Sequence, residues 1–148
     1  MSEVTIEAAR EADDELVEAF ARLLPQLSTH ARLLDREALA RLLGEAASIL
    51  LVARVEGRIV GALTLVLYRI PTGLRARIED VVVDAGARGH GLGAPLTEEA
   101  VRRARRAGAR TVDLTSRPDR AAANRLYERL GFVRRESVGY RLDGTDAR

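Results

Sequence analysis

The chain contains no cysteine and no lysine, only two histidines, and aromatic residues make up just 3% of it. Without cysteine there is no disulfide framework and no thiol chemistry. Neither His30 nor His90 has a His, Cys or acidic partner at metal-ligand spacing, so no metal is expected. Long apolar runs are also missing. The longest, Ala46 to Ala53 with Ser48 inside it, is far too short to cross a bilayer. The acidic N-terminus lacks the basic start and apolar stretch of a secretory signal. A cytoplasmic location with no membrane partner is the expectation.

Every basic side chain is arginine. The 24 basic groups nearly balance the 22 acidic ones, leaving a net charge of +2. A small excess of a group with so high a pKa is enough to lift the isoelectric point to 9.6. That value therefore says little about nucleic acid. Lysine-free, Ala- and Arg-rich usage looks like a coding bias. Arg102, Arg103, Arg105, Arg106 and Arg110 do cluster, but Leu92, Leu96, Ala100 and Ala104 form the apolar stripe of that helix. The arginines fall on its solvated side with no aromatic platform nearby, so no nucleic-acid partner is expected.

An apolar fraction of 47% over 148 residues excludes disorder and suffices for one domain, residues 1–148, with a substantial core. Alternation predicts a strand over Val4–Ala9. Apolar spacing predicts a helix over Ala12–Leu24, with Asp13 and Asp14 in its first turn and Pro25 ending it. A second helix, Asp35–Leu43, stops at Gly44. Ile49–Val55, the turn Glu56-Gly57 and Arg58–Tyr68 read as a hairpin. After the turn Pro71–Gly73 come a strand over Arg75–Val83, a helix over Pro95–Ala107, a short strand over Thr111–Thr115 and a helix over Ala121–Leu130. Strands over Phe132–Glu136 and Val138–Leu142 complete a βααβββαβαββ series, an α+β fold with a mixed sheet. The polar end, Asp143–Arg148, is expected to fray.

The strand ending Ile78-Glu79-Asp80-Val81-Val82-Val83 runs into Arg88-Gly89-His90-Gly91-Leu92-Gly93-Ala94, which opens a helix. Helix N-termini present unpaired N–H groups and a positive dipole end, and glycines let backbone close around a phosphate. A pyrophosphate, and so a nucleotide-type cofactor, is indicated. Gly89 to Ala94 fits the dinucleotide pattern G-x-G-x-x-G/A, with Asp113 about 20 residues on. That fingerprint belongs to the first βα turn of its domain, however. Here helices and several strands come first, and too little chain follows for a doubly wound sheet.

The same loop resembles the coenzyme A loop of the GNAT superfamily of N-acetyltransferases, Arg/Gln-x-x-Gly-x-Gly/Ala, at every fixed position. A second block, Asn124 to Phe132 with Leu126-Tyr127 and Gly131-Phe132, is similar to that family's C-terminal Leu-Tyr-x-x-x-Gly-Phe signature. The likeness covers residues 76–142, about half the chain. The N-terminal half matches in length and layout. The resemblance implies the GNAT acyl-CoA N-acyltransferase fold, a mostly antiparallel central sheet flanked by helices. It implies acetyl-CoA as co-substrate, a primary amine as acceptor, and transfer in a ternary complex, since no cysteine can carry an acyl group.

Such chemistry needs a base for the amine, stabilisation of the oxyanion and an acid for the departing thiolate. The resemblance assigns the acid to Tyr127; in some relatives this tyrosine only holds coenzyme A, and its plain structural role would be packing. Glu79 is the base candidate. Strict alternation puts Glu79, Val81 and Val83 on one face and Ile78, Asp80 and Val82 on the other. Two adjacent carboxylates in a β-prone strand are costly without a purpose. A salt bridge from Glu79 to Arg75 or Arg77 is the structural alternative. Asp80 is a second candidate, for the same role or for gripping the substrate ammonium. The resemblance has the backbone of Val81, Val82 and Val83 pair with the pantetheine arm. It has Arg88, Gly89, His90, Gly91, Leu92, Gly93 and Ala94 cradle the pyrophosphate. Asn124 could reach the cofactor arm, although many relatives carry that Asn seven residues before the tyrosine, where this chain has Arg120. Arg120 or Arg125 could meet the 3′-phosphate, or simply be surface arginines, and His30 reads as a surface residue. The acceptor should be set by Leu24–Leu43 and the turn Arg69–Gly73. A non-catalytic acyl-CoA-binding or regulatory module is the alternative function. In similar proteins the C-terminal strands are common pairing surfaces, which leaves a homodimer open.

Overall fold

The computed structural model describes residues 3–89 and 91–144. In chain order these residues form β1 (Val4–Ala8), α1 (Asp14–Leu27), α2 (Arg36–Leu43), β2 (Ser48–Val55), β3 (Arg58–Ile70), β4 (Gly73–Val83), α3 (Gly93–Arg106), β5 (Val112–Asp113) and α4 (Ala121–Arg129), with a 3₁₀ turn at Ala85–Ala87. Aspartates start the first two helices. Asp13 accepts from the Leu16 amide at 2.9 Å and Asp35 from the Ala38 amide at 2.8 Å, each satisfying an amide that the helix itself cannot.

The sheet runs in the order β1-β2-β3-β4-β5. The first three pairings are antiparallel and β4–β5 is parallel. Glu56 and Gly57 both take positive φ, 53° and 78°. Such a two-residue turn matches the twist of the strands it joins. Consecutive residues of β2 are buried on opposite faces. Leu50 and Val52 meet Leu16, Ala19, Phe20 and Leu23 of α1 and Leu39 of α2. Leu51 and Ala53 meet Leu96, Ala100 and Ala104 of α3. Helices thus cover both faces of the sheet, and each buried leucine contributes roughly 1.5–3 kcal/mol.

Three sequence expectations change. Pro25 does not end α1, which continues to Leu27. Proline removes one N–H from the ladder, but Leu23 is fully buried and Leu27 packs on the same core, holding the last turn down. The two C-terminal strands are absent from the described residues, and 132–144 form no regular element. Val133, Val138, Tyr140 and Leu142 are 84%, 72%, 95% and 97% exposed. Alternation proposes a strand, but a partner ladder makes one. Here β5 is only two residues long and its ladder runs to β4.

The third change lies inside β4. Ala62 pairs Val82 while Thr64 pairs Glu79, so Asp80 and Val81 together face Leu63. This β-bulge places Asp80 at φ 52° and reverses the alternation. Ile78, Val81 and Val83 pack on the α3 side, whereas Val82 packs on the α1 side.

Candidate active site

β5 meets β4 at only two positions, Ala76↔Val112 and Arg77↔Asp113. From Ile78 to Val83 the strand pairs with β3 on one side and, among the described residues, with no strand on the other. The edge of β4 facing away from β3 is unpaired there. Val81, Val82 and Val83, expected to meet the cofactor arm, lie on that unpaired stretch of β4. A free strand edge accepts an extended, amide-bearing arm as a further strand.

The strand then enters the glycine loop. Asp84 caps the 3₁₀ turn by accepting from the Gly86 amide at 3.2 Å. It also accepts from Arg22 Nη1 of α1 at 2.8 Å. The Gly86 amide first, then Gln26 and Arg22, holds its carboxyl below the usual range. Gln26 Oε1 accepts from the Ala85 amide at 2.7 Å. Arg88 donates to the Val83 carbonyl at 3.4 Å. Gly89 and Gly91 have φ of 93° and 70°, which an L side chain adopts only with strain. The helix α3 then starts with no side-chain cap on its N-terminus and no acid in its first turn. Uncapped amides at a positive dipole end suit an anion. His90, expected in this cradle, lies outside the described residues.

Gly93 brings α4 to the same place. A Cβ there would stand 3.1 Å from Leu126 Cδ2, so the absence of a side chain lets the α3 N-terminus lie against α4. Tyr127, the next residue, is 8% exposed. Its ring meets Phe132 edge-on at 5.9 Å. Its hydroxyl has no hydrogen-bond partner among the described residues. Burial raises its pKa, and the nearby Arg120 charge pulls the other way. Tyr127 is therefore protonated at neutral pH, with a proton available to give.

The two carboxylates of β4 differ. Glu79 accepts from Arg77 Nε at 2.9 Å, with the side chains 45% and 33% exposed, which is the salt bridge the sequence offered as the alternative to a base. Asp80 has no cationic partner among the described residues. It retains surface on solvent, yet partial desolvation and then the Glu79 charge raise its pKa.

Asn124 donates to the Arg117 carbonyl at 3.1 Å and so braces the loop before α4. Arg120 lies at the start of α4, Arg125 within it, and His30 is exposed. In the segment expected to set the acceptor, Leu24, Pro25, Ala31, Arg32 and Leu33 line a shallow cavity of about 160 Å³. In α3 the arginine cluster is answered by one residue: Glu99 pairs with Arg102, Arg103 and Arg106. The sequence reading missed Arg22, Gln26 and Asp84. An Asp directly before a run of small residues is a capping signal, and could have exposed the last of them. No helix among the described residues is long and apolar enough to cross a membrane.

The family model for the acetyltransferase (GNAT) family matches residues 11–132. The chain belongs to that family. A crystal structure of a Trypanosoma brucei acetyltransferase is similar at 29% identity and a TM-score of 0.77, covering 95% of this chain and 99% of its own. A Bacillus halodurans protein described as a transcriptional regulator is similar at 30% identity and a TM-score of 0.77, covering 96% and 100%. An uncharacterized N-acetyltransferase of Methanocaldococcus jannaschii is 36% identical over 63 residues, 43% of this chain but only 28% of that relative's length. The GNAT assignment and the antiparallel pairing from β1 through β4 together set aside the dinucleotide reading.

Proposed function

We propose that this GNAT protein is an acetyl-CoA-dependent N-acetyltransferase that acetylates a primary amine by direct attack in a ternary complex. The observation that carries the reading is the free edge of β4 from Ile78 to Val83, followed through the glycine loop by an uncapped helix N-terminus. One surface offers strand pairing and anion binding in sequence, which fits a pantetheine arm followed by a pyrophosphate.

Acetyl-CoA supplies the acetyl group as a thioester. The free edge at Val81–Val83 holds the arm, and Arg88, Gly89, His90, Gly91, Leu92, Gly93 and Ala94 cradle the phosphates. Asn124 supports the site by bracing the Arg117 carbonyl. Tyr127 delivers its proton to the leaving sulfur. Asp80 and Glu79 share the amine side. Glu79, tied to Arg77, supplies fixed negative charge for the ammonium. Asp80, with its raised pKa, is the better proton acceptor, either directly or through water. No metal is used, and the protein works in the cytoplasm without membrane or nucleic acid.

Calorimetric titration with acetyl-CoA, beside NADH as a control, tests the cofactor. Micromolar binding of acetyl-CoA alone, followed by thiol release with an amine acceptor, supports the reading. No acetyl-CoA binding overturns it. A non-catalytic acyl-CoA-binding module is the second reading, favoured by the Arg77–Glu79 ion pair, which already occupies the Glu79 carboxylate. It predicts acetyl-CoA binding with no turnover against any amine.

A further inference from the structure

We propose that Arg22, Gln26 and Asp84 form a positioning clamp that determines where the phosphate cradle begins. This rests on the reading of residues 88–94 as the pyrophosphate loop.

The amides of the turn account for themselves. Ala85 donates to Gln26 Oε1 at 2.7 Å and Gly86 to Asp84 Oδ1 at 3.2 Å. Ala87 donates to the Asp84 carbonyl at 2.8 Å and Arg88 to the Ala85 carbonyl at 3.4 Å. Four successive N–H groups are thus occupied within the protein. The first backbone amides left for a ligand come at Gly89 and beyond, where φ turns positive. Two of the four bonds are made by side chains, and those side chains are held from α1. Arg22 spans Asp84 Oδ2 at 2.8 Å and the Ile59 carbonyl at 3.1 Å. Gln26 reaches both the Ala85 amide and, at 3.4 Å, Asp84 Oδ1. The Arg22 and Asp84 side chains are only 23% and 18% exposed, so water competes poorly for them. The Asp84 amide is itself fixed to the Val60 carbonyl at 2.8 Å. Release of the clamp would free the amides of Ala85 and Gly86 to compete for the phosphate and let the cradle slide.

None of the three residues needs to touch a substrate, so their effect should follow the phosphates and not the chemistry. Two acyl donors separate these. Acetyl-CoA carries the pyrophosphate, whereas S-acetylpantetheine carries the same thioester and arm without it. The variants are Gln26→Met, which keeps bulk and removes the hydrogen bonds to Ala85, Asp84 and the Arg22 carbonyl, and Asp84→Asn, which removes the charge facing Arg22. With acetyl-CoA each should raise KM about tenfold, the scale of one lost hydrogen bond to a charged or buried group. The kcat should stay near wild type. With S-acetylpantetheine, kcat/KM should not change. Arg22→Lys keeps a charge beside Asp84 but cannot also fork to Ile59, and should fall between.

Equal losses with both donors would show a merely structural role and overturn the proposal, as would no loss with either. Should Asp84→Asn fail to fold, Gln26→Met decides alone, since Gln26 is exposed. A wild-type protein that uses S-acetylpantetheine as well as acetyl-CoA would show instead that the loop binds no pyrophosphate. That removes the reading beneath the clamp, and the clamp with it.

Discussion

Arg77 donates to Glu79 at 2.9 Å, while Asp80, the next residue along the strand, has no cationic partner among the described residues. Adjacent carboxylates on one strand are thereby given different environments. The bulge does this, since it removes Asp80 from the ordinary pleat. Separate roles follow, and they can be measured separately. Asp80→Asn should lower kcat by about 10²-fold or more, the usual range for a lost general base, and should abolish the acid limb of the pH–rate profile. Glu79→Gln should mainly raise KM for the amine. Equal effects on kcat from both variants would contradict the division.

The Asp80 shift also fixes a stability trend. A carboxyl whose folded pKa is raised binds protons more tightly in the folded chain than in the unfolded one. Its charge thus works against folding once the pH exceeds the ordinary aspartate value. Asp80→Asn should therefore raise Tm at neutral pH, with the gain vanishing in acid below that value. Asparagine tolerates positive φ, so the backbone gives no opposing penalty. Thermal denaturation at pH 3 and pH 7 checks this. Asp80→Val should instead lose about 1–2 kcal/mol, because a β-branched residue at φ 52° is strained.

Tyr127→Phe keeps the ring against Phe132 and removes the hydroxyl alone. Turnover should drop by about 10²–10⁴-fold, with acetyl-CoA affinity changed little. Because burial raises the tyrosine pKa, the wild-type activity should persist in alkali beyond the ordinary tyrosine pKa. Initial rates from neutral to alkaline pH, with and without the substitution, test both statements.

Gly91→Ala meets no atom within 4 Å of the new Cβ, so its only cost is backbone strain at φ 70°, about 1 kcal/mol. Gly93→Ala has the reverse problem, a 3.1 Å contact with Leu126 Cδ2 and no positive φ. The first should weaken acetyl-CoA binding with α4 undisturbed. The second should push the Leu126 side chain aside by a few tenths of an ångström, disturb Tyr127 beside it, and so reduce kcat as well. Titration calorimetry beside steady-state rates separates them.

Glu99 answers three arginines with a side chain that is 16% exposed. Burial raises its pKa, but Arg103 and Arg102 outweigh that and leave it lowered. Its contribution is then present above the ordinary glutamate value and lost as the pH falls through the folded one. Glu99→Gln should cost about 1–2 kcal/mol at pH 7 and little at pH 3, as read by urea denaturation at each pH.

Periodicity made the layers legible. The stripe Leu92, Leu96, Ala100 and Ala104 is buried as expected, and the Glu56-Gly57 hairpin forms where the turn chemistry puts it. The glycine loop and the strand leading into it were also readable, because glycine and alternation report directly on backbone. Strict alternation failed at Asp80, since an inserted residue leaves no mark on composition. It failed again after Phe132, where alternating residues found no edge to join. The clamp was invisible for another reason: Arg22 and Asp84 are 62 residues apart, and only the fold makes them neighbours.

Every ion pair described here is made by a guanidinium. A guanidinium stays protonated at any physiological pH, so it has no free electron pair with which to attack a thioester. With no lysine in the chain, this member of an acetyltransferase family carries no side-chain amine of its own to be acetylated. Its surface charge, and the pairs that lock α1, α3 and the β4 edge, cannot be eroded by the reaction it is proposed to perform.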